Sequence, residues 1–183
     1  MAVKINTKME QPIQPDVTLA DSPIHGTGVF ATRDFVKGET VLEIDDSRIV
    51  DKDHPLQPEL GEFDYHCDYL ADGLVILMQS PERHINHSCD PNTYVKTIDG
   101  IRHVIAWRDI YNGEEITYDY IINCHDGAVW ECNCSSSKCR GTIPSSFFDL
   151  PVSLQQVYHP FLDEWFVREH QERIATMLSK LES

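Results

Sequence analysis

Between Val17 and Tyr120 no stretch keeps a helical period for long, and that absence limits the fold more than any other feature of the chain. In place of helical stretches stand short runs rich in β-branched and aromatic side chains: DVTLA, GVFAT, TVLEI, RHVIAW and EEITYDY. Gly, Asp and Pro punctuate the gaps, so the runs read as strands of a mainly β (α+β) domain. After Pro151 the pattern changes. Phe161, Leu162, Trp165, Phe166, Ile174, Met177, Leu178 and Leu181 recur at spacings of three and four, which predicts C-terminal helices. Ser153, with Gln156 three residues on, reads as a capping box, and Pro160 suits the first turn of a second helix. Such a stripe either docks on its own domain, leaving a monomer, or joins two copies as a homodimer through the C-terminal helix; docking is the simpler reading.

The chain's 183 residues suit one domain with its own core. The first sixteen are polar, contain two Pro and read as a flexible tail without the apolar centre of a signal peptide. The longest apolar run, LVILM at 74–78, falls far short of a membrane span. The expectation is an intracellular protein of the cytoplasm or nucleus. Its surface is strongly acidic, with thirty acidic residues against fifteen basic ones and a formal net charge of −15. That charge repels phosphates, so it argues against direct nucleic-acid binding and favours basic protein segments as partners. In a reducing compartment the cysteines at 67, 89, 124, 132, 134 and 139 read as thiols or metal ligands rather than disulfides.

Four motifs carry chemistry. Gly26, Gly28 and Ala31 spell G-x-G-x-x-A, with Glu43 or Asp45 near the distance of a ribose-binding carboxylate. The dinucleotide reading fails on context, because the third position must open a helix and VFATRDFVKGE favours a strand. What survives is a tight turn whose backbone can approach a ligand. The second motif, CNCSSSKC at 132–139, places three thiolates within eight residues and supplies three corners of a tetrahedral zinc site. Cys124, His125 and the distant Cys89 are candidates for the fourth. A zinc deaminase is excluded, since no C-x-x-C occurs.

The third motif, RHINHSCDPN at 83–92, crowds two Asn, two His, a Cys, an Asp and a Pro into ten positions. Cys89 as a nucleophile with His87 as its base is one reading, but no Gly-rich oxyanion loop surrounds them. A second has Asn86 and His87 hydrogen-bonding a polar ligand while Cys89 serves the metal. A third is a buried turn whose Asn and Asp satisfy their own backbone. In the last motif, GEEITYDY at 113–120, Tyr118 and Tyr120 face one side of a strand and Asp119 the other.

Taken in this order, the motifs resemble the SET-domain protein lysine methyltransferases with a post-SET zinc loop, over roughly residues 17–143. The resemblance implies a SET fold of short β-sheets in which EEITYDY is threaded beside RHINHSCDPN in a knot-like crossing. It divides the chain into a tail (1–16), a SET domain (17–121), a post-SET zinc-binding loop (122–143) and a C-terminal helical extension (144–183). It implies S-adenosyl-L-methionine as cosubstrate, bound by Asn86 and His87, by the turn His25, Gly26, Thr27 and Gly28, by Tyr69 beside the lysine channel, and by Asn133 near adenine. It makes Cys89 the fourth ligand, with Cys132, Cys134 and Cys139, of one structural Zn²⁺. Tyr120 matches the catalytic tyrosine, and Tyr118 the position that tunes how many methyl groups are added, with a hydroxyl there implying mainly mono-methylation. The implied substrate is a lysine in a basic protein segment, a histone among the candidates. The competing readings are a catalytically silent SET module that binds a partner peptide, and a small zinc-binding adaptor. There are departures. His84 stands where an aromatic residue is usual, and no cysteine cluster precedes Cys67.

Overall fold

The structure, a computed structural model, describes residues 15–179. Most of the expected tail, residues 1–14, and Leu181 of the apolar stripe lie outside that range. Eleven short strands run through it: β1 (Val17–Asp21), β2 (Thr27–Ala31), β3 (Thr40–Glu43), β4 (Cys67–Tyr69), β5 (Val75–Leu77), β6 (Asn86–His87), β7 (Thr93–Ile98), β8 (Ile101–Ala106), β9 (Glu115–Tyr118), β10 (Trp130–Glu131) and β11 (Thr142–Ile143). Three helices follow: α1 (Val152–Tyr158), α2 (Glu164–Glu169) and α3 (Gln171–Ser179). All five anticipated strand runs are strands.

The strands form small sheets instead of one large one. One has the order β1-β2-β9-β6, a second β3-β8-β7, and β4-β5 and β10-β11 are hairpin-like pairs. Within the first, β2 pairs antiparallel with β9, placing Val29 opposite Ile116. On the other side of β9, β6 pairs in parallel, with Asn86 opposite Thr117 and His87 opposite Tyr118. The expected crossing takes this form: two segments remote in sequence lie side by side and point the same way. The side chain of Asn92 ties this arrangement together. Its Nδ2 donates to the Glu115 carbonyl at 2.8 Å, and its Oδ1 accepts the Thr117 N–H at 2.8 Å. A side-chain amide thus stands in for a neighbouring strand and satisfies backbone that would otherwise be buried without partners.

Two apolar cores result. The first, under the sheets, gathers Val29, Phe35, Val41, Ile85, Val104, Ile110 and Ile116. The second gathers Cys89, Ile121, Cys132, Cys134, Phe147, Tyr158, Leu162, Phe166, Ile174 and Met177, so the C-terminal stripe docks on its own domain. The expected capping box is not formed. The helix begins at Val152 with Pro151 at its N-cap and no side-chain cap bond, which leaves Ser153 inside the first turn. The fixed φ of Pro151 sets the entry to this helix without an acceptor side chain. Pro160 occupies a short 3-10 turn, His159–Phe161, ahead of the second helix.

Candidate active site

The polar loop at 83–92 owes its composition to its partners. Asn86 Nδ2 donates to the carbonyl of His25 at 3.0 Å and to the Glu115 carboxylate at 2.9 Å, fastening β6 to the early turn. Gly26 adopts a left-handed φ of 49° there, and a Cβ on Gly28 would collide with the Glu115 carboxylate, so both glycines are required. Glu115 also accepts from Ser22 Oγ at 2.7 Å, while its Oε2 is buried without a partner among the described residues. His25, Gly26 and Thr27 stay exposed beside it.

His87 is buried, and burial lowers its pKa to about 4 against the opposing charge of Asp119, so the ring is neutral at pH 7. Its Nδ1 accepts the Tyr120 N–H at 3.2 Å. The proton of the neutral ring therefore sits on Nε2, which lies 3.3 Å from Cys89 Sγ and donates to it. This arrangement brings His87 and Cys89 together, but in the wrong sense for a nucleophile and base: the nitrogen facing sulfur carries the proton. Burial also pushes the Cys89 thiol upward.

Tyr118 and Tyr120 lie with ring centroids 5.2 Å apart, on one wall of a cavity of about 720 Å³. Ile85, Met78, Asp68 and Tyr69 contribute to the same cavity. Burial holds both phenols above their ordinary range, so both remain hydroxyl donors at neutral pH. Tyr120 Oη donates to the Ile85 carbonyl at 2.7 Å, while among the described residues the Tyr118 hydroxyl has only the weak acceptor Met78 Sδ at 4.0 Å. Tyr69, on the short β4 strand, is largely exposed at the rim.

Cys89, Cys132, Cys134 and Cys139 place their sulfurs within 4.8 Å of one another. The 3.8 Å between the sulfurs of Cys89 and Cys132 excludes a disulfide bond. Backbone N–H groups point at three of the sulfurs: Arg140 N at Cys89 (3.4 Å), Cys89 N at Cys134 (3.5 Å) and Gly141 N at Cys139 (3.5 Å). Such donors stabilise thiolates and are what a four-sulfur zinc site needs around it. Of the candidates for the fourth corner, only Cys89 is in the group. Cys124 donates to the Ser145 carbonyl and His125 meets Ser146 Oγ. Asn133 is exposed on the cysteine loop.

The motifs did not reveal several residues of this region. Asp119 is buried and accepts both Nη1 and Nη2 of Arg140, at 2.6 and 2.8 Å, and Tyr158 Oη at 2.7 Å. It thereby joins the end of β9, the cysteine loop and α1. Trp130 packs its ring against both His87 and Tyr120. Glu115 and Asp119 lie inside a motif already singled out, but nothing in their spacing names their partners.

A family model described as the SET domain matches residues 26–121, just over half of the chain. The histone-lysine N-methyltransferase trithorax of Drosophila virilis is 36% identical over 151 residues, covering 76% of this chain and 4% of that protein. Human histone-lysine N-methyltransferase 2B is 33% identical over 130 residues, covering 65% of this chain and 5% of that protein. For histone-lysine N-methyltransferase ash1 of Drosophila melanogaster the values are 31% over 152 residues, 75% and 7%. The chain thus spans only a small fraction of the length of these relatives.

Proposed function

Because the chain belongs to the SET-domain family, we propose that it is a protein-lysine N-methyltransferase that draws its methyl group from S-adenosylmethionine. The observation that carries this reading is the pair of protonated phenols, Tyr118 and Tyr120, on one cavity wall next to the buried Asn86–His87 strand. Within the described chain we take residues 17–121 as the catalytic unit, 122–143 as a post-SET zinc loop and the remainder as a docked helical extension.

Bound S-adenosylmethionine supplies an activated methyl sulfonium, which leaves the protein mainly the task of orienting an amine. The residues of the early turn suit it: His25–Thr27 is exposed, and the unpartnered Glu115 Oε2 is an acceptor for a cationic group such as the cosubstrate's amino group. We assign His87, Tyr69 and Asn133 to the same pocket. The largely apolar surfaces of Tyr118, Tyr120 and Ile85 disfavour a charged amine, which promotes the reactive neutral form. The Tyr120 hydroxyl, held by Ile85, orients the amine and stabilises charge near the transferred methyl. The Tyr118 hydroxyl, weakly partnered, is free to hold a water that takes the room of a second methyl, so mono-methylation is the expected product. Cys89, Cys132, Cys134 and Cys139 would hold one structural zinc, which closes the loop instead of taking part in transfer. The net charge of −15 suits a basic target segment, and a histone is the class named in the relatives.

The test is transfer of radiolabelled methyl from S-adenosylmethionine to core histones and basic peptides. Wild type should label a substrate, and Tyr120→Phe should reduce the rate by about a hundredfold or more. Absence both of transfer and of cosubstrate binding by calorimetry would refute the reading.

A further inference from the structure

Behind Tyr118 lies a group of charges that is one cation short. Arg102, on β8, is buried and surrounded by three carboxyl groups. Its Nε and Nη2 donate to Asp46 at 2.8 and 2.6 Å, and its Nη1 donates to Asp68 at 2.6 Å. Glu82 is only 2% exposed, and among the described residues neither of its carboxyl oxygens has a hydrogen-bond partner. Its Oε1 points at the same guanidinium from 3.7 Å. One guanidinium cannot serve three carboxylates, and a buried carboxyl left without a bond is costly. Of the three acids only Asp68 lines the cavity that Tyr118 and Tyr120 face, and one of its oxygens is engaged by Arg102.

We propose that Asp68 is the residue that receives the ammonium of the incoming target lysine, on a carboxylate oriented by Arg102, and so determines the preference for a cationic side chain. The inference rests on the methyltransferase reading. Burial pushes Glu82 up to about 8, against the pull of Arg102, so at pH 7 it is neutral and the remaining group carries one net negative charge. That charge faces the cavity through Asp68. Capture and reaction make opposite demands: capture wants a carboxylate for the ammonium, whereas reaction wants a neutral amine among the aromatic rings. Asp68 and the tyrosines divide these tasks. Arg102, when a lysine competes for Asp68, has Glu82 as its next nearest partner.

The test uses the histone peptide that wild type labels, and the same peptide with norleucine in place of its lysine. Calorimetry with S-adenosylhomocysteine present measures both. Asp68→Asn should weaken the lysine peptide about tenfold or more and leave the norleucine peptide within about twofold. Asp46→Glu is the control, since it keeps the charge that pairs with Arg102 from outside the cavity, and it should leave the lysine preference intact. The proposal is overturned if Asp68→Asn weakens both peptides alike, or if Asp46→Glu abolishes the preference as fully. Should Asp68→Asn not fold, Asp68→Glu is read on the same peptides, and loss of the lysine preference in that charge-keeping variant overturns it equally. Failure of wild type both to label any histone or peptide and to bind the cosubstrate refutes the methyltransferase reading itself, and this proposal with it, whereas normal labelling with an indifferent Asp68 refutes this proposal alone.

Discussion

The core beneath the sheets and the core beneath the C-terminal helices are of similar size but different material. The first is almost wholly aliphatic, with Val29, Val104, Ile110 and Ile116 fully buried between paired strands. The second mixes the aromatic rings of Phe147, Phe166 and Tyr158 with three buried cysteines, and at its centre sits the ionic group Asp119–Arg140–Tyr158. Apolar burial and backbone ladders suffice to close the first. The second contains thiols that pack as small hydrophobes when protonated and become costly charges when not, unless a metal holds them. The difference implies that the two cores fail for different reasons, although they meet along β9 and the loop at 86–92.

The largest expected effect separates them outright. Removing zinc with a chelator, or replacing Cys134 by Ser, should release the second core, because structural zinc contributes about 10 kcal/mol or more to folding in small sites. Hydrogen exchange should then show lost protection across residues 122–179 and retained protection in β2, β8 and β9. Equal loss in both regions would mean that the cores are one cooperative unit.

A smaller break strikes the junction. Asp119→Ala strands the half-buried Arg140 and removes the acceptor of Tyr158, which should cost about 3–5 kcal/mol in urea denaturation. If the cost is under about 1 kcal/mol, the network is not what joins the cores.

Next, pH distinguishes them, because the first core carries the raised carboxyl of Glu82. Its folded pKa of about 8 lies above its ordinary value of 4.5, so the folded state binds the extra proton between these values. Stability from this group is complete below pH 4.5 and is lost as pH rises through 8. Glu82→Gln should therefore melt higher than wild type at pH 8.5, by an amount equivalent to about 2 kcal/mol, with the gap narrowing toward pH 5. A gap independent of pH would mean that Glu82 does not titrate in this window. The smallest effect is Ile116→Val, about 1 kcal/mol of ordinary core loss, with zinc content by mass spectrometry unchanged.

Much of the first core was legible along the chain, because strand formation leaves a local pattern: GVFAT, RHVIAW and EEITYDY each combine β-branched residues with flanking turns. Thr93–Ile98 escaped the same reading, although Asp90–Pro91 and Asp99–Gly100 bound it on either side. The loop RHINHSCDPN could be marked as chemically unusual but not explained. The partners of Asn86, Asn92 and His87 lie 61, 25 and 33 residues away respectively, in His25, Thr117 and Tyr120. The same holds for Arg102, whose sequence neighbours give no hint that Asp46, Asp68 and Glu82 converge on it.

What the amino-acid sequence determined by itself was therefore kind and period: short strands followed by an apolar helical stripe, three thiols at metal-binding spacing, and two tyrosines on one side of a strand. Local sterics and side-chain chemistry decide those properties, and both can be read from neighbouring residues. Only the tertiary structure decided which groups meet. It brought Cys89, and neither Cys124 nor His125, to the other three sulfurs across a separation of 43 residues from Cys132. It also left Glu82 without a partner behind the cavity wall. Proximity across such separations is set by the packing of both cores together, and no single segment encodes it.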